Sequence, residues 1–333
     1  MRVVRIAPED PDPALLREAA DLLRAGRLVA FPTETVYGLG AHALDAQAVQ
    51  RIYDAKGRPS VNPLIVHVAN VTAARALAAE WTPTADALAR ELWPGPLTLV
   101  VKKVAGIPDI VTAGHESVGV RVPAHPVALA LLQTAALPVA APSANLSTQV
   151  SPTTADHVRR GLGDRVDLIL DGGPTSVGIE STVVDVTGDV PRVLRPGMIS
   201  QADIARIAGA VTASGSASPT VERAPRSPGL TGRHYAPRAR MHLFDARRRD
   251  DATAAARTLL AEGKRVGAMT FTPIGLALSV EYTMPRSPAA YARELYSTLH
   301  ALDDAHCDLI LLELPPDSIE WAAILDRVRR TTL

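Results

Sequence analysis

Apolar residues near the start of the chain follow first a helical and then a strand pattern. Apolar positions 15, 16, 19, 22 and 23 recur at helical spacing after Asp12, which is a typical N-capping residue. The segments 28–31 and 64–68 are short and, apart from His67, wholly apolar. Runs of this length predict buried strands. Residues 32–40, which follow the first run, are polar and glycine-containing and predict a loop.

The same alternation continues to residue 207. It predicts further helices at 46–55, 71–79, 85–92, 126–134 and 199–207. It predicts further strands at 97–102, 118–122, 167–173, 181–186 and 192–195, and a strand that opens into a loop within 138–145. Strands and helices mixed in this way indicate an α/β domain built on a twisted, mixed sheet.

Composition changes after this region. Residues 208–240 are rich in Ala, Ser, Pro, Gly and Arg and show little periodicity, which indicates a linker. Strands at 241–246, 265–271 and 308–314 then alternate with helices at 251–260, 289–305 and 319–330. That order is typical of a smaller parallel, Rossmann-like α/β domain. We therefore expect a catalytic domain at 1–208, a linker at 209–240 and a C-terminal domain at 241–333.

Charge and cysteine content exclude several classes of protein. Lys+Arg and Asp+Glu both number 35, so the formal net charge is zero, which argues against bulk nucleic-acid binding. The one cysteine, Cys307, can form neither an internal disulfide nor a CxxC metal site, and it fits a reducing compartment. No apolar run reaches the length of about 18 residues that a membrane helix needs. The N-terminal residues do not resemble a secretory signal, so we expect a cytoplasmic protein.

Candidate chemistry lies in polar loops that follow apolar strands, where ligands of α/β proteins gather. These loops are 32–40, 56–63, 114–117, 143–151 and 172–181. Neither the G-x-G-x-x-G nor the Walker phosphate loop is present. Lys56 and Arg58 place two cations within one turn, which suits a triphosphate, although a solvated basic loop has the same pattern.

Other polar residues near these strands allow two interpretations each. Ser143 and Asn145 are either phosphate or ribose donors or members of a capping turn. Arg121 lies within an apolar strand and needs an anionic partner, which could be a protein carboxylate or a substrate carboxylate. His67 has the pattern of a core histidine more often than that of a ligand. Residues 180–182, Glu-Ser-Thr, carry the same ambiguity.

The order and wording of these segments are more specific than any one of them. They read FPTETVYGLG, KGRPSVNPLIVHV, LWPGPLTLVV, VGVRVPAHP, APSANLS, IESTVVDV and VLRPG. In this order they resemble the motifs of the threonylcarbamoyl-AMP synthase family, which contains small YrdC-like and longer Sua5-type proteins. SPGLTGRHYAP at 227–237 resembles the linker motif of the longer type.

This resemblance implies a YrdC-like fold around a large concave cavity, and an activity. The family forms L-threonylcarbamoyl-AMP and pyrophosphate from L-threonine, bicarbonate and ATP. The product passes to a tRNA threonylcarbamoyl transferase and becomes threonylcarbamoyl-adenosine beside the anticodon. The resemblance thus implies a nucleotidyltransferase that uses Mg²⁺ carried with ATP. We expect a monomer without membrane attachment or stable tRNA binding.

The resemblance also implies roles for individual residues. The L-threonine site would contain Thr35, His67, Arg121, Ala141 and Ser181. The ATP site would contain Arg58, Asn62, Ser117, Ser143, Asn145, Ser151, Arg195 and Tyr235. Lys56 and Arg58 would be catalytic, and Tyr235, in the linker, would close over the nucleotide as a lid.

Two other functions compete with this interpretation. One is an RNA-binding YrdC-like module, against which the neutral charge weighs. The other is transfer from carbamoyl phosphate, as in hydrogenase maturation factors that contain a related domain. Those proteins carry cysteine-rich zinc modules, which a chain with one cysteine cannot build.

Overall fold

The computed structural model describes residues 1–213 and 235–332. The chain forms two compact units, each drawn from more than one segment. The first contains Met1–Ser147, Pro152–Ser176 and Glu180–Thr231, and the second contains Thr148–Ser151, Val177–Ile179 and Gly232–Leu333. Most of the predicted linker at 209–240, and most of the motif at 227–237, lies outside the described residues.

The first unit is built on a sheet of eleven strands within the described part of the chain. The strands are β1 (Arg2–Arg5), β2 (Val29–Phe31), β3 (Gly38–His42), β4 (Ile65–His67), β5 (Leu97–Lys102), β6 (Ser117–Arg121), β7 (Val139–Ala140), β8 (Leu168–Asp171), β9 (Thr182–Asp185), β10 (Arg192–Arg195) and β11 (Thr212–Ala213). The helices are α1 (Pro13–Arg24), α2 (Ala46–Lys56), α3 (Val71–Arg75), α4 (Pro83–Leu92), α5 (Asp109–Thr112), α6 (Pro126–Ala135), α7 (Ala155–Leu162) and α8 (Gln201–Ala208).

The sheet order is β1-β8-β2-β3-β7-β4-β6-β5-β9-β10-β11. Parallel pairs such as β4–β6 and β5–β9 alternate with antiparallel pairs such as β4–β7 and β5–β6. The predicted mixed sheet is therefore confirmed. Its centre is formed by β7, β4, β6 and β5, which come from distant parts of the chain.

The two faces of this central sheet bury different side chains. One face contributes Leu64, Val66 and Val120 to the main core, together with residues of α2 and α4. Since side chains alternate along a strand, Ile65 shares the opposite face with His67. There a small separate cluster contains Ile65, Val100, Val183 and Leu194. An apolar floor thus lies beside the polar residues of the same face.

The second unit has a parallel sheet, as the sequence predicts, and its strand order is β12-β15-β13-β14. Its strands are β12 (Arg240–Phe244), β13 (Val266–Thr270), β14 (Val280–Thr283) and β15 (Leu309–Glu313). Its helices are α9 (Arg249–Ala261), α10 (Pro288–Asp304) and α11 (Ala322–Arg329). No helix among residues 1–213 and 235–332 is long and apolar enough to cross a membrane.

Several elements differ from the sequence prediction. The segment 32–40, predicted as a loop, turns into β3 at Gly38, which pairs antiparallel with β2. The strands β1, β11 and β14 and the helices α5 and α7 were not predicted. The helix predicted at 319–330 begins as a 3₁₀ turn before α11.

Candidate active site

Two predicted threonine-site residues lie side by side on neighbouring strands. The parallel register of β4 and β6 sets His67 opposite Arg121. Both residues are 4% exposed. A guanidinium and an imidazole on one face, buried this deeply, need polar partners.

Arg121 finds its partners in two loops. Its Nη1 donates to Thr35 Oγ1 at 2.9 Å, and its Nε donates to the carbonyl of Gly95 at 3.3 Å. Its Nη2 lies 2.6 Å from Oε1 of Glu34. The sequence left open whether Arg121 faces a protein or a substrate carboxylate, and in this structure it faces the carboxylate of Glu34.

The loop between β2 and β3 is shaped by its own threonines. Thr33 Oγ1 donates to the carbonyl of Val36 at 2.7 Å and lies 2.8 Å from Thr35 Oγ1. The backbone N–H groups of Thr35 and Val36 donate back to Thr33 Oγ1, each at 3.2 Å. This small network fixes Thr35 in the position that Arg121 contacts.

His67 is held neutral by its surroundings. Burial, and to a smaller extent the nearby charge of Arg121, together lower its pKa from 6.5 to about 3. The ring of Phe31 approaches it edge-on, with the centroids 6.4 Å apart. A neutral imidazole can donate and accept hydrogen bonds, but with this pKa it is a weak proton acceptor at neutral pH.

Ser181 connects a predicted threonine residue to a predicted ATP residue. Its Oγ lies 2.8 Å from Thr98 Oγ1 on β5. Arg195, at the end of β10, donates from Nε to the carbonyl of Ser181 at 3.1 Å and from Nη2 to its Oγ at 3.2 Å. The predicted threonine and ATP sites therefore share this contact.

Lys56 secures the loop that contains Ser143 and Asn145. It is the last residue of α2, and Gly57 ends the helix in the left-handed conformation with φ 58°. Its Nζ donates to the carbonyl of Ser143 at 2.5 Å and to that of Asn145 at 2.6 Å. Burial lowers the pKa of Lys56 well below its ordinary value, the charge of Arg58 adds to this, and Glu180 opposes it. Two of the three donors of the ammonium group are thus directed at this loop.

The other members of this region are also buried and bound to backbone. Arg58 donates from Nε to the carbonyl of Asn62 at 3.2 Å and from Nη2 to the carbonyl of Pro63 at 3.0 Å. Asn145 donates from Nδ2 to the carbonyl of Leu146 at 2.9 Å. The N–H of Ala141 donates to the carbonyl of Ile65 at 3.0 Å, which joins the start of the same loop to β4.

Ser117 begins β6, at the end of the strand opposite to Arg121. It lines a small cavity whose other walls include Ile65, Val100, Gly119 and Val183. A Cβ on Gly119 would lie 3.2 Å from Thr98 Cγ2 and 3.4 Å from Ile65 Cγ1, so a side chain there would crowd this apolar floor.

Two predicted ATP residues belong to the second unit. Ser151 is fully buried, and its carbonyl lies 3.1 Å from Nε2 of His300. Tyr235 is also buried and has a positive φ of 60°. Its ring lies 5.7 Å from that of Tyr296 and 5.5 Å from the guanidinium carbon of Arg327. Tyr235 is thus part of the core of this unit, and its role as a lid stays a prediction.

Glu34 was not among the predicted site residues, although it lies within the FPTETVYGLG motif. The available signal was a carboxylate between two threonines, directly after a buried strand. Thr98 was likewise missed because it lies inside an apolar strand. Among the residues that the structure describes, no cluster of three or more His, Cys, Asp or Glu could hold a metal ion.

Comparisons with known proteins agree over both units. A Sua5/YciO/YrdC family model, described as telomere recombination, matches residues 21–197. A second model, described as the C-terminal domain of threonylcarbamoyl-AMP synthase, matches residues 199–332. Together these two models account for most of the chain.

Individual relatives match over nearly their full length. The threonylcarbamoyl-AMP synthase of Pyrococcus abyssi is 40% identical over 95% of this chain and 94% of its own. That of Bacillus subtilis is 40% identical over 98% of this chain and 94% of its own. The crystal structure of P. abyssi Sua5 complexed with L-threonine superposes with a TM-score of 0.91, at 37% identity, covering 100% of this chain and 98% of that one. On this evidence the chain belongs to the threonylcarbamoyl-AMP synthase family, in its longer Sua5 form.

Proposed function

We propose that this protein forms L-threonylcarbamoyl-AMP and pyrophosphate from L-threonine, bicarbonate and ATP. The observation that carries the proposal is a pair of buried polar regions in the first unit, each of which contains an arginine. Arg121 and His67 lie at one, and Lys56 and Arg58 lie at the other. Family membership supplies the reaction that needs an amino-acid site beside a triphosphate site.

In this proposal the first region holds threonine. Arg121 binds the α-carboxylate, and the neutral ring of His67, Thr35 and Ser181 supply hydrogen bonds to the rest of the amino acid. Ala141 contributes backbone contacts from the neighbouring loop. The burial of these groups is what makes each polar contact selective, because a ligand that leaves one unmatched loses affinity.

The second region holds ATP. Arg58 and Lys56 neutralise phosphate charge, while Asn62, Ser117, Ser143 and Asn145 donate or accept hydrogen bonds. Arg195 joins this set through Ser181. Ser151 and Tyr235 are assigned to ATP on the family resemblance alone, and Tyr235 is proposed to close over the nucleotide.

The reaction then needs positioning more than covalent help. The threonine nitrogen attacks the carbon of CO₂, or of bicarbonate with loss of water, and gives a carbamate. A carbamate oxygen then attacks the α-phosphorus of ATP, and pyrophosphate leaves. Lys56 and Arg58 stabilise charge that develops on the phosphates. The described residues include no protein cage for a metal. The donor set fits Mg²⁺ that arrives on the triphosphate and neutralises part of its charge.

The proposal extends to the fate of the product and to the location and oligomeric state of the protein. The product passes to a tRNA threonylcarbamoyl transferase, and we infer a cytoplasmic monomer in which the C-terminal domain follows a linker at 209–240. The single buried thiol, Cys307, fits a reducing compartment. The neutral net charge supports an enzyme of small molecules over the alternative of an RNA-binding module.

The test is pyrophosphate release by purified protein with Mg²⁺, ATP, bicarbonate and L-threonine. We expect release only when all are present, and mass spectrometry should show threonylcarbamoyl-AMP. Arg121→Ala should lower kcat/KM for threonine by an amount equivalent to about 2–5 kcal/mol of activation free energy, because a buried charge contact is lost. Arg90→Ala, which removes an exposed arginine paired with Asp86, is the control and should behave as wild type. Release that continues unchanged without threonine or without bicarbonate would exclude this function.

A further inference from the structure

We propose that Glu34 is the group that receives the α-ammonium of the amino-acid substrate and takes the first proton from its nitrogen. This inference rests on the proposed function, since it concerns the same site. It assigns a role to a residue that neither the sequence pattern nor the family resemblance marked.

The placement of Glu34 is the first observation. The residue is 6% exposed and lies in the loop between β2 and β3. Its Oε2 accepts a hydrogen bond from the N–H of Ala124 at 3.1 Å, just beyond the end of β6. Its Oε1 lies 2.6 Å from Nη2 of Arg121. One carboxylate oxygen is therefore anchored to backbone, and the other faces the guanidinium.

One polar atom beside this ion pair lacks a hydrogen bond. Glu34 Oε1 and Arg121 Nη2 face each other at 2.6 Å, so each is matched in charge. Nδ1 of His67, on the strand next to Arg121, has no hydrogen bond among the described residues. Buried polar atoms are nearly always hydrogen-bonded, because leaving one unmatched is costly. An unmatched ring nitrogen beside a buried ion pair indicates a site that a polar ligand completes.

The charges of this site match one class of ligand. An α-amino acid carries a carboxylate and an ammonium group on the same carbon, and its two charges lie as close together as those of Arg121 and Glu34. When the carboxylate binds Arg121, the adjacent ammonium needs an acceptor, and a carboxylate is the strongest that proteins offer. The bound amino acid places its carboxylate against Arg121 and its ammonium against Glu34, so no net charge is added to the buried site.

The same contact leads into the reaction. An ammonium nitrogen has no electron pair with which to attack carbon. In the proposed step the N–H bond breaks, its proton forms an O–H bond on Glu34 Oε1, and the nitrogen keeps the electron pair. The resulting neutral amine then attacks the carbon of CO₂, which bicarbonate supplies with loss of hydroxide, and the nitrogen releases a second proton to solvent as the carbamate forms. The anchored Oε2 keeps the carboxyl group in place during the transfer.

A purely structural role is the alternative, in which Glu34 only orients Arg121. The two roles predict different ligand specificity. Calorimetry with the full chain, without ATP or bicarbonate, should compare L-threonine with 3-hydroxybutyrate, which is threonine without its amino group. Glu34→Gln should raise the Kd for threonine roughly tenfold to hundredfold, as expected for loss of a charged hydrogen bond. The Kd for 3-hydroxybutyrate should stay unchanged or fall.

Equal losses for both ligands in Glu34→Gln would assign Glu34 to the structural role, and an unchanged Kd for threonine would also overturn the proposal. Glu80→Gln, which changes an exposed glutamate paired with Lys102, is the matched control. If Glu34→Gln does not fold, the wild-type protein still decides, because equal affinity for the two ligands would exclude an ammonium contact. Pyrophosphate release by the wild type is measured separately. Its absence beside Glu34-dependent threonine binding would remove the proposed function and leave the ammonium site standing.

Discussion

His67 keeps its imidazole neutral because charge is costly at its position on β4. Burial is the main cause of its lowered pKa, and Arg121 opposite it on β6 adds repulsion. A neutral ring next to a charged pair can serve threonine as a hydrogen-bond partner whose state does not vary with physiological pH. The same feature links the residue to the pH dependence of folding.

The pKa of His67 predicts a loss of stability in mild acid. The pKa is about 3 in the folded protein and about 6.5 in the unfolded chain. Below pH 6.5 the unfolded chain binds a proton that the folded protein does not bind. Stability is therefore complete above pH 6.5 and falls as pH decreases towards 3. At pH 5 the loss amounts to about 2 kcal/mol. Urea unfolding measures this effect. The free energy of unfolding should change between pH 7 and pH 5 by about 2 kcal/mol less in His67→Gln than in the wild type.

A second histidine variant is the control for this measurement. His42→Gln changes a half-buried histidine of the same unit and should keep the pH dependence of the wild type. Equal pH dependence in His67→Gln and the wild type would mean that His67 is protonated as easily in the folded protein as in the unfolded chain.

At this scale the sequence predicts which side chains are unusual but not what they contact. His67 and Arg121 stand out because they interrupt apolar strands, and Lys56 and Arg58 because they share a short loop. The partner of Arg121 was beyond sequence reasoning, because Glu34 reaches it only when the β2–β3 loop folds across to β6. The role of Lys56 was equally hidden, since its acceptors are backbone carbonyls and every residue has one.

At the scale of elements, the junction of α2 with the loop after β7 determines the shape of the proposed phosphate region. Asp45 caps the start of α2, and Gly57 ends it, so Lys56 always occupies the final turn. Its ammonium group then holds the carbonyls of Ser143 and Asn145. One helix terminus thereby sets the conformation of a loop that is distant in sequence.

Lys56→Met should loosen that loop. Methionine fills a similar volume, but it removes the ammonium donor from both carbonyls, so the segment 142–147 should open more often. Hydrogen–deuterium exchange should rise in this segment, by roughly tenfold for about 1.4 kcal/mol of lost protection. The KM for ATP should rise with it. Lys102→Met removes a half-exposed lysine paired with Glu80 and should leave the exchange unchanged. Unchanged protection of 142–147 from exchange in Lys56→Met would show that the loop keeps its conformation without the Lys56 contacts.

Most elements were predictable from periodicity, and the exceptions have physical reasons. β3 was predicted as a loop because glycines disfavour strands. In the structure a Cβ on Gly40 would lie 2.8 Å from Phe31 Cε1 and 3.0 Å from Val139 Cγ1, so close packing requires the residue that lowers strand propensity. β1, β11 and β14 lie at sheet edges, where pairing to one neighbour stabilises short strands whose own patterns are weak.

At the scale of the whole molecule, the second unit is not confined to the end of the chain. It includes Thr148–Ser151 and Val177–Ile179 from the first two hundred residues. Within this unit the N–H of Ala236 donates to the carbonyl of Thr148 at 2.9 Å. No periodicity in the sequence indicates this, because both segments are short and irregular. The predicted C-terminal domain at 241–333 therefore does not include these early segments.

Gly178 offers a direct test of how firmly this unit holds its early segments. It has a φ of 86°, and a Cβ there would lie 2.4 Å from the carbonyl oxygen of Ala292 and 2.5 Å from Arg293 Cα, both backbone atoms of α10. Gly178→Ala must therefore displace the segment from the helix. Gly173→Ala is the matched control, because Gly173 has a φ of 85° and nothing within 4 Å of such a Cβ. Both variants carry the left-handed strain of about 1–2 kcal/mol, so the difference between them reports packing alone.

We expect Gly178→Ala to lower the thermal midpoint by several degrees more than Gly173→Ala. Hydrogen–deuterium exchange should locate the change in α10 and in 177–179, because the clash lies between these two backbones. The carbonyl of Ser151 contacts His300, which also lies on α10. If Ser151 helps to bind ATP, the KM for ATP should rise in Gly178→Ala and not in Gly173→Ala. Equal midpoints and equal exchange in the two variants would mean that Val177–Ile179 can leave α10 without cost. The second unit would then be stabilised by its own sheet and helices, and the early segments would contribute nothing to its stability.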